Sequence, residues 1–157
     1  MSDFRRGVRL GIDVGKARVG VARCDPDGML AVPVETVPRD EQSIARLVTL
    51  ADEYEPMEFV VGLPINMRGE DTESTADARR FARELSRASG RPVILVDERL
   101  STVTAHAALR SSGRTQRGSR GIVDQVAAVV LLQHAIDTEK RTGNPAGPEV
   151  SLDEESA

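Results

Sequence analysis

Tryptophan is absent from this 157-residue chain, and aromatic residues make up only 3% of it. A core built from it must therefore be aliphatic and alanine-rich. The single cysteine, Cys24, excludes an intrachain disulfide framework and a cysteine zinc site. Its strand-like surroundings predict a small buried residue. The longest unbroken apolar run is seven residues, Val126 to Leu132, far too short to span a bilayer. Arg5, Arg6 and Arg9 stand near the start without an apolar stretch beside them, so no secretory signal is expected and a cytoplasmic location is. Lysine is scarce as well: 19 of the 21 bases are arginine. Arginine binds phosphate through a planar fork that lysine lacks.

The net charge of -4 hides an uneven distribution. Glu149, Asp153, Glu154 and Glu155 crowd the end of the chain, and without them the body holds 21 acids and 21 bases. No acid stands between Glu98 and Asp124, whereas Arg99, Arg110, Arg114, Arg117 and Arg120 do. Such a stretch suits a nucleic-acid partner, and a solvated loop explains it equally well.

The length fits one domain with a sizeable core. Val8 to Val14, Ala17 to Cys24 and Met29 to Val37 read as three consecutive strands, with Asp25-Pro26-Asp27-Gly28 as a turn. They form an expected antiparallel meander, and Pro33 places the third strand at an edge or an irregularity. Ile44, Leu47, Val48 and Ala51 then repeat at helical spacing. Glu58 to Gly62 is a short buried strand, and Ala78, Phe81, Ala82, Leu85 and Ala88 mark a helix ended by Gly90 and Pro92. Val93 to Val96 is a fifth strand, Ser101 to Arg110 a third helix, and Asp124 to Glu139 a fourth. The polar stretch Ser111 to Gly121 is expected to be mobile, and the chain from Thr142 disordered. The order βββαβαβαα describes an α/β domain over 1–141, a five-stranded mixed sheet covered by helices, which is the ribonuclease H-like plan, with an acidic tail over 142–157.

Three acids sit at element ends. Asp13 closes the first strand, Glu98 follows the fifth, and Asp124 opens the last helix. A carboxylate at the rim of a buried strand is tolerated when it is paired, hydrogen-bonded or bound to a metal. Mg²⁺ and Mn²⁺ favour such carboxylates, and two ions roughly 4 Å apart can activate water and stabilise a leaving oxygen at a phosphodiester. Each acid also has a plainer role: Asp13 as a turn brace, Glu98 against a helix dipole, Asp124 as an N-cap. The Gly-rich segment Gly11 to Gly20 matches neither a P-loop nor a dinucleotide fingerprint. Lys16 within it either reaches a phosphate or lies exposed in a hairpin turn.

The stretch Gly11-Ile12-Asp13-Val14-Gly15-Lys16-Ala17-Arg18-Val19-Gly20-Val21-Ala22 resembles the opening motif of the YqgF/RuvX family, described as pre-16S rRNA nucleases and as Holliday-junction resolvase-like proteins. Val60-Val61-Gly62-Leu63-Pro64-Ile65-Asn66-Met67-Arg68-Gly69, Asp97-Glu98-Arg99-Leu100-Ser101-Thr102, and Val123-Asp124 before an alanine-rich helix follow in family order, so the resemblance covers roughly residues 7–138. It implies a ribonuclease H-like, Mg²⁺- or Mn²⁺-dependent nuclease with Asp13, Glu98 and Asp124 as catalytic metal ligands. It also implies Lys16, Asn66, Arg99 and Thr102 as site-lining positions. The arginine stretch, with Arg110, Arg114, Arg117 and Arg120, is then expected to hold the backbone of a structured RNA or branched DNA. A homodimer is expected if the substrate is a junction. Many family members carry lysine and serine where this chain has Ile122 and Gln125, a departure that bears on how substrate is gripped. An inactive nucleic-acid-binding module is the rival class.

Overall fold

Residues 4–99 and 116–151 are described by a computed structural model, and all their strands join one sheet. The strands are β1 (Arg9–Val14), β2 (Arg18–Cys24), β3 (Ala31–Pro38), β4 (Glu58–Leu63) and β5 (Val93–Asp97). The helices are α1 (Ser43–Tyr54), α2 (Glu73–Ser89) and α3 (Gln116–Thr142). In space the strands run β3-β2-β1-β4-β5. The first three form the expected antiparallel meander, while β4 and β5 add in parallel to β1. Pro33 is on the edge strand, beside a register shift opposite Val21 and Ala22. This is where a residue without an N–H is tolerated.

Alternation along the strands divides the core in two. Leu10, Ile12, Val19, Val21, Phe59, Val61, Val93 and Leu95 pack against α1 and α2, with Leu47, Leu50, Ala78, Phe81 and Leu85 opposite them. Ala22, Cys24, Val60, Ile94 and Val96 face α3 and meet Ala128, Leu131, Leu132, Ala135 and Ile136. Cys24 is buried as expected, whereas Ala88, the last position of the expected α2 stripe, is exposed. Thr72 and Thr75 cap α2 reciprocally, and Gly90 at φ 70 ends it.

Two expectations are corrected. Asp124 does not open the last helix: α3 begins at Gln116, so Asp124 lies in its third turn and caps nothing. Residues 116–121, part of the stretch expected to be mobile, are helical; a glycine inside a helix, such as Gly118 or Gly121, costs only about 1 kcal/mol. The apolar stripe further along outweighs that. Nor does order end at Thr142. The chain returns along β5, where Val150 N–H donates to Val93 O at 2.7 Å and Leu95 N–H to Pro148 O at 2.9 Å. Val150 joins the core. An uncovered β5 would present unpaired backbone groups, and Gly147 allows the cover to close, since a Cβ there would collide with the Leu95 carbonyl oxygen. The expected Ser101–Arg110 helix, residues 111–115 and the last six residues lie outside the described residues. Among the described residues no helix is long and apolar enough to cross a membrane.

Candidate active site

Asp13 is on β1, paired across to Gly20 on β2. Alternation sends Gly11 and Asp13 to the α3 side of the sheet, opposite to Leu10 and Ile12. Glu98 follows the last residue of β5, but β5 is not the neighbour of β1, because β4 lies between them. Glu98 therefore reaches Asp13 across β4, and it does so at Gly62. A Cβ at that position would collide with Glu98 Oε2. The Glu98 N–H donates to Leu63 O at 3.2 Å, which holds the end of β5 against the tip of β4. The Asp13 and Glu98 carboxyls come close enough for each to act on the other.

The third acid comes down from above. At Gly20, α3 passes so close to β2 that a Cβ would collide with the Asp124 carbonyl oxygen. At Gly11 a Cβ would stand 2.8 Å from Leu132 Cβ and 3.0 Å from Ala128 O. Gly11, Gly20 and Gly62 thus form the seat on which α3 and Glu98 rest. Sequence reasoning weighed two of them only as parts of a phosphate-loop candidate. The available signal was glycine inside three strands, which marks close approach of another chain segment.

Electrostatics sets this cluster apart. Asp13 is pushed up to about 8, first by burial, then by the charges of Glu98 and Asp124, then by its hydrogen bond to Glu98. Asp124 turns its carboxylate to β2, where Arg18 Nε donates to Asp124 Oδ2 at 2.7 Å. Among the described residues, no group of three or more His, Cys, Asp or Glu side chains is already gathered as a ligand shell. The donor set nonetheless fits a hard divalent cation. Its donors are carboxylate oxygens carried on separate elements, and their mutual repulsion is what a cation would offset.

The other expected positions separate. Lys16 is exposed and lines a cleft of about 660 Å³ with Arg39, Asp77 and Arg80 at the start of α2. Asn66 spends its side chain on its own loop: its Oδ1 accepts from Arg68 N–H at 3.0 Å and Glu70 N–H at 2.9 Å, and its Nδ2 donates to Glu70 Oε1 at 3.2 Å. Arg99 turns to Asp97, donating from Nη2 to Oδ2 at 2.6 Å. Thr102, Arg110 and Arg114 lie outside the described residues, and Arg117 and Arg120 belong to the first turns of α3. Gln125, one of the departures from the family pattern, donates from Nε2 to Thr36 Oγ1 at 3.0 Å. With Gln133, whose Oε1 accepts from Ala31 N–H at 3.0 Å, it ties α3 to the edge strand β3.

A mixed sheet of this order, with an acid at the carboxyl end of central β1, another just past edge strand β5 and a third on the helix across them, is the ribonuclease H-like class. Structural comparison agrees: RuvC of Thermus thermophilus, solved in complex with a Holliday junction substrate, superposes with a TM-score of 0.56 at 19% identity, over 90% of this chain and 98% of that one. The family model for RuvX, described as Holliday junction resolvase, matches residues 7–138, and the chain belongs to that family. Among curated relatives, a Clavibacter michiganensis protein named "Putative pre-16S rRNA nuclease" is 54% identical over 147 residues, 92% of this chain and 91% of its own length. A Streptomyces coelicolor protein of the same name is 50% identical over 152 residues, covering 95% and 91%.

Proposed function

We propose that this protein is a divalent-metal-dependent endonuclease that cuts phosphodiester bonds in structured nucleic acid, with 5′-end processing of pre-16S rRNA as its reaction. The observation that carries this is the charge of Glu98 and Asp124 acting on the buried Asp13 carboxyl, with glycines at 11, 20 and 62 letting α3 and Glu98 come close enough to the sheet. Curated relatives over nearly the whole chain bear the corresponding name. Asp13, Glu98 and Asp124 are the residues that would hold Mg²⁺ or Mn²⁺. When bound, the ion supplies Lewis acidity at the scissile phosphate and neutralises charge developing there.

The chain's own groups have separable tasks. Asp13, central and partly buried, supplies the charge that concentrates a cation, and Glu98 adds a second carboxylate beside it. Arginines on the 99–120 stretch hold the polyanion backbone.

Branched DNA is the second reading, favoured by the description of the family model. Symmetrical junction cleavage needs two active sites and hence a dimer, whereas trimming an rRNA end does not. The full chain and Asp13→Asn should be incubated with labelled precursor rRNA and a four-way junction, in Mn²⁺, Mg²⁺ or EDTA. Cleavage of the RNA by wild type only with metal, lowered at least about a hundredfold in the variant, is expected. Wild type that cuts neither polymer in any metal sinks the enzyme claim. A strict monomer that cuts the RNA alone removes the junction reading.

A further inference from the structure

Arg18 is a poor fit to a purely structural role. It stands two residues before Gly20 on β2, on the same face as Gly20 and facing the Asp13 site. Its backbone is fixed: its carbonyl accepts from Gly15 N–H at 2.9 Å, and it registers with Pro38 on β3. Its side chain is not locked in the same way. Among the described residues it makes one hydrogen bond, from Nε to Asp124 Oδ2 at 2.7 Å. The side chain is 35% exposed, against 18% for its partner. Arg39 gives the contrast, being held at once by Gly15 O at 2.9 Å and by both oxygens of Asp77 at 2.8 and 2.9 Å.

Charge counting then assigns Arg18 two positions. Three carboxylates crowded together need positive charge, and without a metal ion Arg18 supplies some of it at Asp124. Once divalent cations neutralise the acids, the guanidinium is repelled by them and has lost its reason to stay. Its two terminal amino groups, which the Asp124 bond does not use, match a phosphate bidentately. We propose that Arg18 is an exchangeable counter-ion of this site, occupying the Asp124 carboxylate in the metal-free protein and passing to the phosphodiester once cation binds. The proposal rests on the nuclease reading above and adds to it a residue that both competes with the metal and engages the substrate.

The test uses the full chain as wild type, Arg18→Gln and Arg18→Lys. Mn²⁺ binding without nucleic acid, read by titration calorimetry or by loss of the free-ion paramagnetic signal, should tighten about tenfold in Arg18→Gln, because a competing cation is gone. Metal-dependent cleavage should move the other way, with kcat/KM falling at least about tenfold, mostly through KM, and recovering in part with Arg18→Lys. A brace for Asp124 with no exchange would weaken both metal binding and cleavage when removed. Mn²⁺ affinity that is unchanged or weaker in Arg18→Gln overturns the counter-ion half. Tighter Mn²⁺ binding with undiminished cleavage overturns the phosphate half. Failure of the nuclease reading looks different, for then wild type itself neither binds Mn²⁺ through Asp13 nor cleaves.

Discussion

The two ends of the sheet hold acids in opposite ways. At the end where β1 and β4 begin, Glu58 and Glu139 are almost fully buried, and both are matched. Arg9, 2% exposed, donates to Glu58 Oε2 at 3.3 Å and to Glu139 Oε2 at 3.1 Å. Arg5 bridges the same two acids, at 3.1 Å to Glu58 and 2.7 Å to Glu139. Burial works to raise the Glu139 carboxyl, but the hydrogen bonds from Arg5 and the charges of Arg9 and Arg5 outweigh it and hold it below the usual range. At the other end three acids converge, with Arg18 on one of them, and Asp13 is driven up to about 8. The chain can satisfy buried carboxylates, and it does so where α3 must be clamped to the sheet. The same helix carries Asp124 in its third turn and Glu139 in its last. On the function proposed above, the under-compensated end is where a cation would bind, because it would relieve the repulsion among these acids.

Breaking the matched end should have the largest effect. Arg9→Met leaves Glu58 and Glu139 short of a buried partner and removes the contact of the guanidinium with the Phe4 ring at 4.6 Å. A cost of about 3–5 kcal/mol is expected, a fall in Tm on the order of 10 °C by thermal melting. At a temperature where the variant is folded, its metal affinity should match wild type. A variant as stable as wild type would show that the network contributes nothing to clamping α3.

Gly62→Ala tests the seat itself. The added methyl occupies the place of Glu98 Oε2, so Glu98 must leave Asp13 or the β4 tip must shift. Destabilisation of about 1–3 kcal/mol is expected, together with a loss of Mn²⁺ affinity larger than the stability change explains. Titration of metal into the folded variant separates the two.

The pH dependence should bring both ends into one curve. Asp13 binds its proton more tightly in the folded, metal-free protein than in the unfolded chain. Stability therefore rises as pH falls through about 8 and stops rising once the unfolded carboxyl also protonates, near about 4. Glu139 has the opposite sign, since its lowered value stabilises the fold above the ordinary carboxylate range and is lost as pH falls through it. Tm of metal-free protein should thus climb from pH 8.5 towards 5 and drop in acid. Asp13→Asn should flatten the first limb and raise stability at pH 8 by about 1–2 kcal/mol, read as a higher Tm. Saturating Mn²⁺ should flatten that limb in wild type while leaving the acid limb in place.

Much of this geometry was legible in the residues. The meander, the edge position of Pro33 and the apolar faces of α1 and α2 follow from period and turn chemistry, which act locally. The three acids were picked out because a charge at the end of an apolar strand is anomalous in one dimension. What escaped depends on distance across the fold. The insertion of β4 between β1 and β5, and hence the need for glycine at 62, is set by pairing order, which no local signal encodes. The tail shows the same limit. Gly147 and Pro148 have the composition of disorder, yet the open edge of β5 gives them a partner that composition cannot show.

The smallest effect expected concerns the pair beside the site. Asp97 and Arg99 are both more than a third exposed, and Arg99 holds Asp97 well below the ordinary carboxylate range through its side-chain hydrogen bonds. An ion pair so open to water adds little to stability, so Asp97→Asn should leave Tm unchanged. Yet the pair keeps a guanidinium beside Glu98, and a Cβ at Gly69 would lie 3.5 Å from Arg99 Nη1. Loss of the Asp97 charge releases that cation at the mouth of the site. If polyanion passes there, RNA affinity of Asp97→Asn should rise at low salt, and its dependence on log salt should steepen by about one phosphate contact. An unchanged salt slope would place the path of the nucleic acid away from Arg99 and leave Arg18 as the nearer phosphate partner.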